Sequence, residues 1–162
     1  MHGLEALALA QTQSVMRSWD RPSRGDWAAT LATFPLFSGI SKRRLRKLVR
    51  NATFAEFGRG DTIVSNASSA DALYIILGGS AKALRKSAPQ TLGAGDYFGE
   101  LALINRTPRP EAVVATQELH VMKLPAQSVV RLARQHPAIT LTILRNLSTQ
   151  LRHLETQAAT AA

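Results

Sequence analysis

The spacing of hydrophobic residues changes twice along this chain, from a helical period to a strand period and back. Residues 1–18 carry a loose apolar face of leucines and alanines, and Trp27 to Phe34 suggests a second short helix. From about Thr53 to Leu124, short β-rich runs alternate with turn signals, and the C-terminal third returns to a helical period. Helices at both ends are therefore predicted to flank a region of strands.

The central region predicts a small antiparallel roll. Glycine-containing turn signals divide it: Gly58–Asp61, Gly78–Gly79 and Gly93–Asp96. The apolar runs between and after these turns fit strands: Leu73–Leu77, Val113–Thr116 and Leu119–Leu124.

Two prolines mark the helices that follow the strands. Pro125 opens one helical segment and Pro137 another, at positions where the missing N–H is harmless. The second segment carries leucines at the 3-4-3 spacing of a coiled-coil seam: Leu144, Leu147, Leu151 and Leu154. Two interpretations stay open, because these leucines either pack against the roll alone or also form a homodimer contact.

A basic segment, Lys42–Arg50, stands out within a chain whose net charge is +9. Ser41 can cap a helix there, and Leu45, Leu48 and Val49 lie on one face of it. The basic residues line its other faces, either as a solvated surface or as a docking surface for an acidic protein partner. Nucleic acid is the least favoured partner, because no aromatic residues interleave with the basic ones to stack bases.

Composition excludes several classes of function. The chain has no cysteine, so disulfides, thiolate metal sites and cysteine nucleophiles are ruled out. Its four histidines are scattered, and no metal is expected. No apolar run approaches about 18 residues and the N-terminus does not resemble a signal peptide, so a cytoplasmic protein is expected. No residue set supports an enzyme.

One segment carries the chemistry of a ligand site. Gly95–Leu103 is followed by Thr107–Arg109, which places a glutamate, Glu100, nine positions before an arginine, Arg109. A guanidinium can grip two phosphate oxygens, and a carboxylate can accept a hydrogen bond from a ribose 2′-hydroxyl. Gly99 would let the backbone approach the ligand and begin a short helix whose N–H groups face an anion. This combination suits a cyclic phosphodiester fused to a ribose.

These residues resemble the phosphate-binding cassette of the cyclic nucleotide-binding domain family, which includes catabolite activator protein and the regulatory subunit of protein kinase A. The cassette motif, roughly F-G-E-L-A-L, a loop and P-R, is matched by Phe98–Leu103, Ile104–Thr107 and Pro108–Ala115. Pro35–Ser41 is similar to the segment that leads into the family's N-terminal helices, and Tyr74–Gly79 is similar to its central strand and hairpin.

The resemblance implies both a fold and a function. The fold is α+β, with an eight-stranded antiparallel, jelly-roll-like β-roll flanked by N-terminal and C-terminal helices. The function is a cyclic nucleotide sensor that signals through its C-terminal helix to a partner or a dimer. Cyclic AMP is expected over cyclic GMP, because members that prefer the latter often carry a hydroxyl after the arginine. The implied ligand-binding residues are Phe98, Gly99, Glu100, Leu101, Ala102, Arg109 and Pro110.

Four positions depart from the family pattern. Pro110 has no N–H to donate to phosphate, Glu111 adds a negative charge near the expected anion, and Ala112 lacks the usual hydroxyl. Ala67 replaces a hairpin glycine. Arg109 could therefore form an internal ion pair with Glu111 or Glu100 instead of binding phosphate. The alternative function is a degenerate, ligand-independent protein-interaction module on the same fold.

The resemblance also suggests how the chain is organised. It covers roughly residues 31 to 154, so we expect an N-terminal helical extension at 1–30, a cyclic nucleotide-binding-like domain at 31–157 and a frayed tail at 158–162. Only eight residues follow Leu154, so the DNA-binding helix-turn-helix of the family's transcription factors is not expected.

Overall fold

A computed structural model describes residues 24–64, 71–84, 89–100, 104 and 112–161. The predicted helix at 1–18 and the turn at Ala67 lie outside the described residues. The helices are α1 (Arg24–Ala32), a 3-10 turn (Pro35–Phe37), α2 (Lys42–Arg50), α3 (Ala126–Gln135) and α4 (Pro137–Ala161). The strands are β1 (Thr53–Phe57), β2 (Thr62–Val64), β3 (Ala72–Gly78), β4 (Ser80–Leu84), β5 (Gln90–Gly93), β6 (Tyr97–Phe98), β7 (Ala112–Ala115) and β8 (Leu119–Pro125).

The strands form two four-stranded sheets. The first has the order β1-β8-β3-β6 and the second β2-β7-β4-β5, and neighbouring strands run antiparallel throughout. The predicted α+β fold, an antiparallel roll of eight strands between N-terminal and C-terminal helices, is confirmed. The three strands predicted from apolar runs correspond to β3, β7 and β8.

Strand β3 separates two hydrophobic cores because its side chains alternate between the two faces of the first sheet. The helix-side core lies between this sheet and the helices and contains Leu73, Ile75 and Leu77 of β3. The inter-sheet core lies between the two sheets and contains Ala72, Tyr74 and Ile76. The buried run that predicted a strand is therefore buried on both faces.

The hairpin between β3 and β4 depends on a glycine. Gly79 has a φ of +86°, and a Cβ atom at this position would collide with the carbonyl oxygen of Glu118. Both conditions exclude larger residues, so the turn signal at Gly78–Gly79 has a steric origin.

Helix α2 forms as its sequence predicts. The Ser41 Oγ accepts a hydrogen bond from the Arg44 backbone N–H at 3.4 Å and caps the helix. Leu45, Leu48 and Val49 are buried in the helix-side core. The basic side chains consequently occupy the exposed faces of the helix.

Helix α4 changes character along its length. Ile139 and Ile143 are buried, and Leu147 packs against the same helix-side core. Residues 151–161 are all exposed. Of the four predicted seam leucines, only Leu147 packs on the roll, whereas Leu144, Leu151 and Leu154 are exposed.

The ends of two helices do not coincide with the predicted domain boundaries. Helix α1 spans the boundary predicted at residue 30, and α4 continues through Ala161 beyond the start of the predicted frayed tail. The division of the chain into domains stays a prediction. Within the described ranges, no helix has the length and apolar character needed to cross a membrane.

Candidate functional site

The predicted site begins in a turn that is tied to the centre of the first sheet. The Gly93 N–H donates a 2.8 Å hydrogen bond to Asp96 Oδ2, and Gly95 adopts a φ of +90°. The Gly95 N–H donates to the Ile76 carbonyl at 2.9 Å, and the Ile76 N–H donates to the Asp96 carbonyl at 2.9 Å. Backbone hydrogen bonds to β3 thus hold the start of the cassette in position.

The side chain of Phe98 attaches the cassette to the inter-sheet core. Its ring stacks on Tyr74, with centroids 4.9 Å apart and planes 5° from parallel, and both side chains belong to the inter-sheet core. The Phe98 side chain is therefore part of the inter-sheet core. Its predicted role in binding stays a prediction.

The residues after Phe98 combine an unusual backbone with a buried charge. Gly99 has a φ of +95°, a conformation that side chains other than glycine rarely adopt. Glu100 follows it and is only 7% exposed. Among the described residues, it is the one charged side chain that is buried. A carboxylate is seldom buried without a structural or functional reason, because its desolvation is unfavourable.

A hydrogen bond joins this region to the C-terminal helix. Asn146 Nδ2 in α4 donates to Tyr97 Oη in β6 at 2.6 Å. Burial raises the pKa of the Tyr97 hydroxyl above its ordinary value, the hydrogen bond from Asn146 lowers it, and the negative charges of Glu100 and Asp96 raise it. The Tyr97 hydroxyl is therefore hydrogen-bonded to α4, and the charge of Glu100 contributes to its raised pKa.

Sequence reasoning missed Tyr97 and Asn146 as parts of this region. They are 49 residues apart, and neither belongs to a spacing pattern that points to the other. Tyr97 lies inside the quoted motif segment, but its identity alone does not predict a partner in a helix.

The other half of the predicted site is not described. Leu101, Ala102, Arg109 and Pro110 lie outside the described residues, as does Glu111. Binding of the phosphate by Arg109 and of the ribose by Glu100 therefore stays a prediction, as does the alternative of an internal ion pair between the two. Strand β7 begins at Ala112 and lies between β2 and β4 in the second sheet.

A metal centre finds no support in the part of the chain that the structure covers. Its His, Asp and Glu side chains nowhere gather in a group of three or more that could hold an ion.

Comparison with known proteins identifies the family. Residues 54–136, just over half of the chain, match the family model of the cyclic nucleotide-binding domain. This segment runs from β1 to the start of α4 and includes the cassette. The chain therefore belongs to the cyclic nucleotide-binding domain family.

Two regulatory proteins are among the relatives of this chain. The cAMP-dependent protein kinase regulatory subunit of Aspergillus fumigatus is 30% identical over 109 residues, which are 65% of this chain and 26% of that protein. The CRP-like cAMP-activated global transcriptional regulator of Mycobacterium tuberculosis is 27% identical over 129 residues, which are 75% of this chain and 57% of that protein. The chain is thus related to kinase regulatory subunits and to CRP-like regulators.

A solved structure agrees with the sequence relatives. The regulatory domain of Toxoplasma gondii PKA, crystallised with cAMP, superposes with a TM-score of 0.67 at 29% identity and covers 77% of this chain and 50% of that one. This chain thus spans at most 57% of the length of these three relatives.

Proposed function

We propose that this chain is a regulatory sensor that binds cyclic AMP in its cassette and transmits binding through α4. The observation that carries the proposal is the buried carboxylate of Glu100, which follows Gly99 in its left-handed conformation at the start of the cassette. A binding site for a ribose hydroxyl needs a fixed, partly desolvated acceptor of this kind.

Each ligand group has a candidate residue. Glu100 would accept a hydrogen bond from the ribose 2′-hydroxyl, and the Gly99 backbone would lie close to the cyclic phosphate. Arg109 would bind two phosphate oxygens, a role that rests on the family motif. Leu101, Ala102 and Pro110 would line the same cassette through backbone contacts.

The names of the three relatives described above favour cyclic AMP as the ligand. The A. fumigatus subunit is cAMP-dependent, the M. tuberculosis regulator is cAMP-activated, and the T. gondii domain was crystallised with cAMP. Pro110 provides no hydroxyl after the arginine, which also disfavours cyclic GMP.

The route of the signal follows from the contact between β6 and α4. Tyr97 lies two residues before Gly99 and accepts a hydrogen bond from Asn146. A ligand that alters the position or charge of the Glu100 region changes the surroundings of Tyr97, and so the stability of its bond to α4. The exposed distal part of α4, residues 151–161, would then present a changed surface to a partner or to a second copy of the chain.

Calorimetric titration with cyclic AMP tests the ligand directly, with cyclic GMP as the competing ligand. The matched variants are Arg109→Ala and Arg152→Ala, because Arg152 is an exposed arginine on α4. We expect micromolar binding that Arg109→Ala abolishes and Arg152→Ala retains. No heat with cyclic AMP up to millimolar concentration, from protein shown to be folded by circular dichroism, would overturn the proposal.

A second candidate function is a ligand-independent interaction module on the same fold. Pro110 removes one donor to phosphate and Glu111 introduces a like charge, and loss of one charged hydrogen bond weakens binding roughly tenfold to a hundredfold. If cyclic nucleotides do not bind the folded protein, this second function replaces the first.

A further inference from the structure

A cleft lies between α2 and α3, and it contains none of the cassette residues. Its volume is about 410 Å³, including the part open to solvent. Three cationic side chains line it, Arg44 and Lys47 from α2 and Arg131 from α3. Asn51, Ser128 and Gln135 add hydrogen-bonding groups to its walls.

The helices on both sides of the cleft are basic and carry no acidic residue. Six of the nine residues of α2 are Lys or Arg, and α3 contributes Arg131 and Arg134. Lys47 and Arg131 are exposed, and among the described residues neither forms an ion pair with a carboxylate. The cleft is therefore a local concentration of positive charge.

Helix stability explains only part of this charge. Lys47 and Arg50 lie in the last turn of α2, where the helix dipole favours cations. Lys42 and Arg43 lie in the first turn of α2, where the helix dipole disfavours cations, and that turn has no acidic residue. Arg43 and Lys47, like Arg46 and Arg50, are four residues apart, where like charges repel. A group of opposite charge bound in the cleft beside Lys47 would relieve the repulsion between Lys47 and Arg43.

The two walls are held together by contacts of their own. Arg44 Nη1 donates a hydrogen bond to His136 Nε2 at the junction of α3 and α4. Leu48 and Leu132 line the cleft and are almost fully buried in the helix-side core. The cleft thus has an apolar base, polar walls and a cationic rim.

We propose that this cleft binds an acidic segment of a partner protein. Carboxylates of that segment pair with Lys47 and Arg131, and one apolar side chain rests on Leu48 and Leu132. Nucleic acid fits less well, because α2 and α3 contain no aromatic residue on which a base could stack. A lipid surface also fits less well, because neither helix exposes a large apolar side chain to insert.

The test measures binding of the full chain to short fluorescent peptides of equal length. Every peptide has a leucine at its centre. From one peptide to the next, more of the flanking Gln and Asn residues are replaced by Glu and Asp, so that only the number of carboxylates increases. Lys47→Glu and Arg131→Glu are compared with Arg152→Glu, which makes the same change in net charge on an exposed part of α4. A single-stranded oligonucleotide and vesicles containing anionic lipid are tested in parallel, and circular dichroism confirms that each variant is folded.

We expect affinity to rise with the number of carboxylates, and to fall about tenfold or more in Lys47→Glu and Arg131→Glu but not in Arg152→Glu. Replacing the central leucine by serine should weaken binding to the unchanged chain. The proposal is overturned if no acidic peptide binds, or if all three variants behave alike. It is also overturned if the oligonucleotide or the vesicles bind through Lys47 and Arg131 while the acidic peptides do not. These outcomes do not depend on whether cyclic AMP binds.

Discussion

The side-chain amide of Asn146 donates a 2.6 Å hydrogen bond to the hydroxyl of Tyr97, and so connects the C-terminal helix to the strand that leads into the cassette. Tyr97 also lies in the electrostatic field of Glu100. One hydroxyl group is therefore coupled electrostatically to Glu100 of the expected ligand site and by a hydrogen bond to α4.

Removing this hydroxyl should weaken the attachment of α4. We expect Tyr97→Phe to lower the free energy of unfolding by about 0.5–1.5 kcal/mol, the usual net contribution of one hydrogen bond, as measured by urea denaturation. Thr149→Ala, at an exposed position of the same helix, should change it by less than about 0.5 kcal/mol. In a double-mutant cycle, Asn146→Ala should have little further effect in the Tyr97→Phe background. Additive effects would show that the two side chains are not energetically coupled.

The ionisation of Tyr97 provides a second test. Tyr74→Phe leaves Tyr97 as the only tyrosine, and its absorbance titration should give a pKa above the ordinary value of 10.0 because burial disfavours the anion. Asn146→Ala, made in this background, should raise the pKa further, since the hydrogen bond from Asn146 favours the anion. A titration midpoint equal to that of a free tyrosine amide would contradict the burial of the Tyr97 hydroxyl.

The same shift makes stability depend on pH in a defined direction. Above pH 10 the unfolded chain loses the Tyr97 proton while the folded chain keeps it, so the free energy of unfolding falls as pH rises from 10 to the raised folded-state value. The stability difference between the unchanged chain and Tyr97→Phe should be largest below pH 10 and should shrink above it. Chemical denaturation across this range measures the effect, and a difference that grows with pH would contradict it.

Glu100 and the ribose hydroxyl can be tested as a pair. Glu100→Gln keeps the size of the side chain and removes its charge, so we expect affinity for cyclic AMP to fall roughly tenfold to a hundredfold. The 2′-deoxy analogue of cyclic AMP should bind the unchanged chain more weakly, and Glu100→Gln should affect its binding little. If the substitution weakens both ligands equally, Glu100 does not contact the 2′-hydroxyl.

Pro110 and Glu111, the two residues after Arg109 that differ from the family motif, should each weaken binding, and replacing them should restore affinity. Pro110→Ala restores a backbone N–H and Glu111→Ala removes a negative charge, so each should increase affinity for cyclic AMP, roughly tenfold or more together. Calorimetry on the single and double variants measures the gain. Unchanged affinity would indicate that these positions do not face the phosphate.

The exposed leucines of α4 give a test of the homodimer. Leu144 and Leu151 are 53% and 57% exposed, and they lie seven residues apart on one face of the helix. If this face pairs with a second copy, sedimentation should find a dimer that Leu151→Glu converts to a monomer, while Thr149→Glu does not. Because Leu151 is exposed and belongs to neither hydrophobic core of the described residues, its replacement should leave the thermal unfolding of the monomer nearly unchanged. A monomeric unchanged chain would contradict the homodimer.

Local patterns were sufficient to predict much of this molecule. Short apolar runs between turn signals identified β3, β7 and β8, and the stripe of Leu45, Leu48 and Val49 identified the buried face of α2. The family was also readable from sequence, because the cassette motif is contiguous along the chain. These features share one physical basis, since backbone periodicity and turn chemistry depend on residues that are near neighbours in sequence.

Contacts between distant residues were decided only by the tertiary structure. The hydrogen bond from Asn146 to Tyr97 and the cleft that brings Lys47 near Arg131 both depend on how helices dock on the first sheet. The same docking partly buries Leu147 and leaves Leu151 exposed, although both occupy the same predicted seam. By itself, the sequence determined three of the strands, the basic helix, the C-terminal helices and the family. Packing of the helices against the first sheet determined which side chains meet, because no spacing pattern along the chain encodes a contact between residues that far apart.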